Sequence, residues 1–327
     1  MSTDVQVMRA AIALSQRGAG RTGRNPNVGC ILIRDGSLVG RGWTQPGGRP
    51  HAEAMALAQA GAAARGATAY VTLEPCAHQS DRGPACALEL IAAGVQRVVI
   101  AARDPDSRTN GRGIALLRDA GIAVAEGVMA EDARAAMAGF FARIHLGRPH
   151  VTVKLALSLD GRIALPDGTS RWITGDAARA HAHVERSRAN AILVGRGTLD
   201  ADRPRLDVRL DGLADRAPRA ILLSRSGADL PAGWLHAAAP DALASLDLGG
   251  DWVLVEGGAG ASAAFLTADL ADRLLIYRAP ILIGAGRPAI DDIGLSDLAT
   301  AHGRWTLADR RVLGNDTLEV YQRRRSG

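Results

Sequence analysis

The chain has 327 residues, enough for about two domains at ordinary domain size. With 47% apolar and 22% charged residues it is neither a disordered tail, a collagen-like fibre nor a small disulfide scaffold. The net charge of +5 is spread thinly, with 16 Arg against 12 acids in residues 1–146 and 23 basic against 22 acidic residues beyond. That distribution suits an anionic small molecule and is a poor footprint for duplex DNA, so no nucleic-acid partner is expected.

Residues 1–18 carry an early acid, lack a basic leader region and read as an amphipathic helix. No run of 18 apolar residues occurs, so no membrane partner is expected and a cytoplasmic location is. The cysteines are Cys30, Cys76 and Cys86, an odd number that favours thiol or metal chemistry over disulfides.

In chain order, periodicity predicts helix Asp4–Gln16, then strand Val28–Arg34 ended by the turn Asp35-Gly36. Helix Ala52–Ala64, strand Ala67–Leu73, helix Ala85–Ala93 with Gly94 as its cap, and strand Val95–Ala102 follow. Helix Gly113–Ala120, strand Ile122–Ala125 and helix Ala130–His145 complete a sheet covered by helices, expected as three layers. Gly147-Arg148-Pro149 marks the break, because proline lacks a donor and turns its predecessor away from helix. Domains 1–146 and 147–327 are therefore expected. The second restarts with strand His150–Leu157, helix Gly175–Arg188, and strands Ala191–Gly195, Arg219–Leu223 and Trp252–Glu256. Helix Ala261–Leu270 and strand Arg273–Arg278 follow, so this half is again α/β.

The first half contains Pro50-His51-Ala52-Glu53 at a helix start, Glu74-Pro75-Cys76 at a strand end and Cys86 on the next helix. The zinc nucleobase-deaminase signature is H-x-E…P-C-x-x-C, which this chain follows in order but with nine residues between Cys76 and Cys86 in place of two. Its chemistry explains the residue types. One imidazole and two thiolates from His51, Cys76 and Cys86 leave the fourth tetrahedral position of Zn2+ for water. The metal makes that water acidic. Glu53, two residues from His51, would carry the water's proton to the ring nitrogen and then to the leaving amine. Single His and Cys residues are ordinarily core or surface residues; here all of them fall at strand–helix junctions. Cys30, inside a strand, reads as a small core residue.

These runs, with Asn25-Pro26-Asn27-Val28-Gly29-Cys30 and Val71-Thr72-Leu73-Glu74-Pro75-Cys76-Ala77-His78, resemble the deaminase half of the bifunctional riboflavin-biosynthesis deaminase/reductase family. Asp104-Pro105 followed by Gly111-Arg112-Gly113 is similar to a further loop of that family. The resemblance implies a cytidine-deaminase-like three-layer α/β/α domain in which Asn25 contacts the pyrimidine. The insert between Cys76 and Cys86 could place His78 or Arg82 over the substrate. The family's G-[KR]-T-P-P-C run is replaced by Asp81-Arg82-Gly83-Pro84-Ala85-Cys86.

In the second half, one strand runs into Glu256-Gly257-Gly258-Ala259-Gly260-Ala261-Ser262 and another into Gly195-Arg196-Gly197-Thr198. Glycine lets backbone approach a phosphate, and a helix N-terminus presents free amides. The pattern is not G-x-G-x-x-G, so it gives no Rossmann assignment. Val153-Lys154-Leu155-Ala156-Leu157-Ser158-Leu159-Asp160-Gly161-Arg162 resembles the K-x-A-x-S-L-D-G-[KR] run of the same family's reductase half. That half is similar in fold to dihydrofolate reductase and uses NADPH.

Matched residue by residue, the resemblance implies an NADPH site at Ala156, Trp172, Thr198, Asp202 and Gly258, Ala259, Gly260, Ala261, Ser262, Ala263 and Ala264. It implies a substrate site at Ser170, Arg186, Leu206, Arg209 and Glu256. Arg203, Asp207 and Arg273 depart from the family pattern. Lys154 stands out independently as the only lysine among 38 arginines. An ammonium is a compact charge with three donors, so Lys154 is expected to hydrogen-bond the ribose or pyrimidine as hydride arrives. Arg186 and Arg209 suit a substrate phosphate, and Arg196 the 2′-phosphate of NADPH.

The resemblance thus implies an enzyme that deaminates 2,5-diamino-6-(5-phosphoribosylamino)pyrimidin-4-one and then reduces its ribosyl group to give 5-amino-6-(5-phosphoribitylamino)uracil. A homodimer through an exposed sheet edge would be unsurprising. One rival is a nucleoside or tRNA deaminase with an accessory nucleotide-binding domain, which leaves Lys154 and the glycine loops unexplained. A nucleotide-binding regulatory protein without catalysis is another, and the presence of Glu53 with all three ligands argues against it.

Overall fold

A computed structural model of the chain describes residues 3–78, 83–227 and 229–325. It divides into two compact units, Met1–Arg148 and Pro149–Gly327, so the boundary falls just before the helix-breaking proline.

The first unit contains α1 (Thr3–Ser15), β1 (Gly29–Arg34), β2 (Ser37–Trp43), α2 (Ala52–Ala60), β3 (Thr68–Leu73) and α3 (Cys86–Ala93). It continues with β4 (Arg97–Ala102), α4 (Arg112–Asp119), β5 (Ala123–Glu126), α5 (Ala130–Ala136) and α6 (Ala138–Leu146). The strands form one sheet in the order β2-β1-β3-β4-β5, with β1 antiparallel to both neighbours and β3, β4 and β5 parallel. Helix α1 lies on one face, where a Cβ on Gly29 would stand 2.1 Å from the Ala11 carbonyl oxygen. Helix α2 lies on the other. A Cβ on Gly40 or Gly42 would meet the carbonyl oxygens of Ala56 and Ala52 at 2.2 and 2.3 Å. These glycines let the start of α2 rest directly on the sheet, and that start carries His51 and Glu53. Leu32, Val71, Leu90, Val99 and Ile100 fill the core.

The second unit contains β6 (His150–Leu157), β7 (Arg162–Ala164), α7 (Asp176–Arg188), β8 (Ala191–Gly195), α8 (Arg196–Asp202), β9 (Arg219–Leu223) and β10 (Leu235–Ala237). It ends with β11 (Trp252–Val255), α9 (Ala259–Thr267), β12 (Arg273–Arg278), β13 (Arg287–Pro288), β14 (Trp305–Leu313) and β15 (Asp316–Arg323). Eight strands form one sheet in the order β10-β9-β8-β11-β6-β12-β15-β14. The first six are parallel, and the C-terminal pair is antiparallel. Both faces of the central strands are buried, which accounts for their unbroken apolar runs. Val153, Leu155, Val253 and Val255 point into one core, whereas Ile192, Leu254, Leu275 and Tyr277 point into the other. Alternation along the strand therefore puts Lys154 and Ala156 on the same face as Leu254 and Glu256.

Several elements differ from the sequence-based expectation. Helix Ala130–His145 is broken at Met137, and the buried Asn27 side chain donates to the exposed end carbonyl of Ala136 at 3.1 Å. Strand β2 was not expected, because Gly40 and Gly42 interrupt its apolar alternation. The loop after β8 turns at once into α8, with Gly195 as its cap residue. The C-terminal hairpin escapes periodicity because most of β14 faces solvent. Among the described residues no helix is long and apolar enough to cross a membrane.

Candidate active sites

In the first unit, three chain segments deliver the metal-type ligands to one point. His51 is the N-cap residue of α2, Cys76 follows β3, and Cys86 opens α3. The His51 Nδ1 lies 3.2 Å from Cys86 Sγ and 3.7 Å from Cys76 Sγ, and all three ligand atoms lie within 4.8 Å of one another. A tetrahedral zinc with ordinary bond lengths sets sulfur and nitrogen roughly 3.5 Å apart. The donor set and its spacing therefore fit Zn2+. The hydrogen bond from the Cys86 thiol, outweighing burial, lowers the Cys76 pKa; His51 and the Cys86 amide, which donates to Cys76 Sγ at 3.3 Å, add to it. Cys86 is correspondingly pushed up by the same sharing and by burial. One thiolate is thus already favoured before any metal binds.

Glu53 sits in the first turn of α2 and is buried. Burial, against the opposing pull of His51, pushes its carboxyl up to about 7. A carboxyl titrating near neutrality can both accept and return a proton.

Two residues before Cys76 lies a carboxylate whose role the sequence left unread. Glu74, directly before Pro75-Cys76, is buried and accepts four backbone amides. Asp104 and Gly111 donate to one oxygen at 3.3 and 3.0 Å, and Gly113 and Ile114 donate to the other at 3.0 and 3.3 Å. Gly113 permits this approach, since a Cβ there would come within 2.0 Å of the Pro75 carbonyl oxygen. Asp104 is itself buried, and burial raises its carboxyl to about 7. Asn25 donates to the Gly48 carbonyl at 3.2 Å, and His78 Nδ1 lies 3.5 Å from Thr109 Oγ1. Arg82 lies outside the described residues. Cys30 is fully buried in β1 opposite Gly42.

In the second unit, β11 ends into Glu256. Arg186 of α7 holds this carboxylate through Nε at 2.7 Å and Nη2 at 2.9 Å, and Lys154 of β6 approaches at 3.5 Å. Burial would raise the Glu256 carboxyl, but Lys154 and Arg186 outweigh it and hold it at about 2. Arg186 Nη1 also donates to the Asp207 carbonyl at 3.0 Å, which ties the 206–209 segment to α7. In that segment Leu206 is buried, whereas Arg209 is exposed and its Nε lies 3.4 Å from Asp207. The Arg209 amide donates to His183 Nδ1 at 3.3 Å, a contact without a sequence signature.

The glycine loop leads into α9, whose N-cap Gly258 supplies no capping side chain. A Cβ on Gly257 would stand 2.3 Å from that of Ala261, so the loop needs glycine there. The Gly258 amide donates to Thr198 Oγ1 at 3.2 Å, which joins the two glycine loops. Within α9, Ala259 and Ala264 are half-buried, Gly260 is exposed, and Ala261, Ser262 and Ala263 are buried. Ser262 Oγ is buried without a hydrogen-bond partner. A helix end without a capping side chain and a glycine cradle suit a dinucleotide phosphate. Ala156 pairs in register with Tyr277. Asp202 lies 3.5 Å from Arg171, and the exposed Trp172 stacks under Arg179 at 4.6 Å. Ser170 is half-buried in the segment before them.

A cavity of about 590 Å³ opens beside α8, lined by Arg196, Asp200, Ser224, Arg225, Ser226 and Asp229. Ser224 to Ser226 follow β9, and the pairing of Leu223 with Gly195 brings them next to Arg196. Sequence reading passed over them, although a third parallel strand running into small polar residues was a usable signal.

Comparison with known proteins bears on both units. Residues 149–318 match the model of the RibD C-terminal domain, and residues 1–102 match the cytidine and deoxycytidylate deaminase zinc-binding region. The riboflavin biosynthesis protein RibD of Haemophilus influenzae is 36% identical over 98% of this chain and 97% of its own. A solved structure of RibD from Acinetobacter baumannii is 35% identical, with a TM-score of 0.86 over 98% of this chain and 99% of that one. The Thermotoga maritima diaminohydroxyphosphoribosylaminopyrimidine deaminase/5-amino-6-(5-phosphoribosylamino)uracil reductase is 31% identical, with a TM-score of 0.86 over 98% of each chain.

Proposed function

The chain belongs to the RibD family, the bifunctional deaminase/reductases of riboflavin biosynthesis, and from that premise we propose how its residues divide the work. Residues 1–146 carry the deamination of 2,5-diamino-6-(5-phosphoribosylamino)pyrimidin-4-one. Residues 147–327 carry the reduction of the ribosyl group of its product with NADPH. The observation that carries this reading is the convergence of His51, Cys76 and Cys86 beside the buried Glu53.

In the deaminase, His51, Cys76 and Cys86 would hold Zn2+, which when bound lowers the pKa of the attacking water. Glu53 accepts that water's proton on its carboxylate. It would return that proton to the ring nitrogen as the carbon–oxygen bond forms, and then pass the proton of the added hydroxyl to the departing nitrogen, so that the carbon–nitrogen bond breaks and ammonia leaves. Burial keeps Glu53 close to neutrality, where both transfers are accessible. Asn25 and His78 would contact the pyrimidine. Glu74 fixes the 104–113 loop through backbone amides, so that loop is pre-organised.

In the reductase, NADPH when bound would supply the hydride that reduces the ribosyl group. Thr198, Asp202, Trp172, Ala156 and the Gly258–Ala264 segment form its seat, with the first α9 amides available to the phosphates. Ser170, Arg186, Leu206, Arg209 and Glu256 bound the substrate. Glu256 stays ionised and orients both Arg186 and Lys154, whose ammonium keeps hydrogens for the ribose or pyrimidine oxygens. The cavity at Arg196 and Arg225 suits the 2′-phosphate.

Incubation with the diaminopyrimidine phosphate, with and without NADPH, followed by mass measurement, tests both halves. Exchange of NH for O is expected without cofactor, and addition of two hydrogens only with it. Turnover of nucleosides or RNA alone would overturn the reading.

A further inference from the structure

We propose that Arg49 is a specificity-determining residue of the deaminase, placed to bind the phosphate of its pyrimidine substrate. The inference rests on the reading of the first unit given above.

Arg49 immediately precedes Pro50-His51 and is half-buried. Its guanidinium lies against the backbone of Gly83, on the segment that leads into α3 and Cys86. A Cβ on Gly83 would stand 2.5 Å from Arg49 Nη1 and 3.5 Å from its Cζ. Gly83 also adopts a φ of +140°, which other residues rarely take. Where the family run carries threonine before Pro-Pro-Cys, this chain has glycine, and the space so opened holds Arg49. The cation therefore spans the two segments that deliver a histidine and a cysteine to the metal site.

Its electrostatic surroundings leave it available. The positive charge of Arg49 reaches both His51 and Glu89 of α3: at His51 it adds to the lowering effect of burial, and at Glu89 it opposes the larger raising effect of burial. Yet no hydrogen bond or ion pair holds the guanidinium among the described residues. Glu89 is felt only from beyond ion-pair distance, so a partly desolvated guanidinium that makes no direct ion pair gains from a ligand that supplies an anion. Depth in the cleft indicates which part of the ligand does so. Glu53, which must act at the reacting ring carbon, is buried, whereas Arg49 remains partly open to solvent. A ribose phosphate extending outward from the ring meets the guanidinium, whose fork matches two phosphate oxygens.

Steady-state deamination by the zinc-loaded enzyme decides the matter, using the diaminopyrimidine ribotide and the corresponding riboside without its phosphate. Arg49→Ala is expected to raise KM for the ribotide about ten- to a hundredfold, as for loss of a charged hydrogen bond, with kcat and the riboside KM little changed. Arg49→Lys should recover part of the ribotide affinity. Gly83→Ala, which crowds the guanidinium, should raise the ribotide KM selectively with zinc content retained. Equal effects on ribotide and riboside, no effect on either, or loss of zinc from all three variants would overturn the assignment. Wild-type enzyme that fails to deaminate the ribotide at all would instead remove the reading of the first unit on which the proposal stands.

Discussion

Arg186 and Glu256 meet through two parallel hydrogen bonds, and the two side chains are only 14% and 6% exposed. Lys154 shares the same carboxylate from a longer 3.5 Å, at 20% exposure. Two cations on one anion leave the cluster net positive. The geometry gives Arg186 the structural bond and leaves the ammonium free to turn toward a ligand. A planar guanidinium in place of Lys154 would compete with Arg186 for the same two oxygens.

Lys154→Arg is therefore expected to lower reductase turnover about a hundredfold through misplacement of the donor, with deamination unaffected. Consumption of NADPH, followed by its absorbance with the deaminated intermediate as substrate, measures this. Near-normal turnover would dismiss the proposed contact between Lys154 and the sugar or pyrimidine.

The same cluster predicts a dependence of stability on pH. The Glu256 carboxyl lies at about 2 in the fold, against an ordinary 4.5. A depressed carboxyl means that the unfolded chain binds more protons over that interval. The stabilisation is fully present above the unfolded value and is lost as pH falls toward 2. The shift corresponds to roughly 3 kcal/mol. Denaturant midpoints of the wild type, followed by tryptophan fluorescence between about pH 6 and about pH 3, should fall more steeply than those of Glu256→Gln. Parallel curves would show that the ion pair contributes little.

The grouping of His51, Cys76 and Cys86 was legible in the sequence because each is chemically distinctive and sits beside a strand end or helix start. Lys154 was legible through its rarity. The Glu74 network was not, since the groups it binds are backbone amides and any residue can supply an amide. Strand β2 was hidden for a related reason. Gly40 and Gly42 remove the apolar alternation that marks a strand, yet their lack of side chains is what brings α2 onto the sheet. Ser224, Arg225 and Ser226 are ordinary loop residues until the β8–β9 register sets them beside Arg196.

Gly42→Ala tests that packing. The added methyl would meet the Ala52 carbonyl oxygen at 2.3 Å and the Met55 Cβ at 2.6 Å, and neither can swing aside. Overpacking of this kind costs about 1–3 kcal/mol and shifts α2 outward. His51 and Glu53 would move with it. Weaker zinc retention against a chelator, together with reduced deaminase activity and unchanged reductase activity, is the expected result. Retention equal to the wild type would show that α2 is positioned independently of β2.

Arg225 offers the clearest test of cofactor choice. It lines the cavity with Arg196, Ser224 and Ser226, so two cations and two hydroxyls face one space, alongside the carboxylates of Asp200 and Asp229. Arg196 lies 3.7 Å from Asp200, which partly neutralises it and leaves Arg225 as the stronger candidate for a phosphate. NADH lacks that phosphate and gains nothing from Arg225, whereas the two aspartates can accept hydrogen bonds from its adenosine hydroxyls. Arg225→Ala should accordingly raise KM for NADPH about ten- to a hundredfold while KM for NADH stays level. Arg196→Ala should act in the same direction but less strongly. An unchanged ratio of the two cofactors in both variants would place the 2′-phosphate elsewhere.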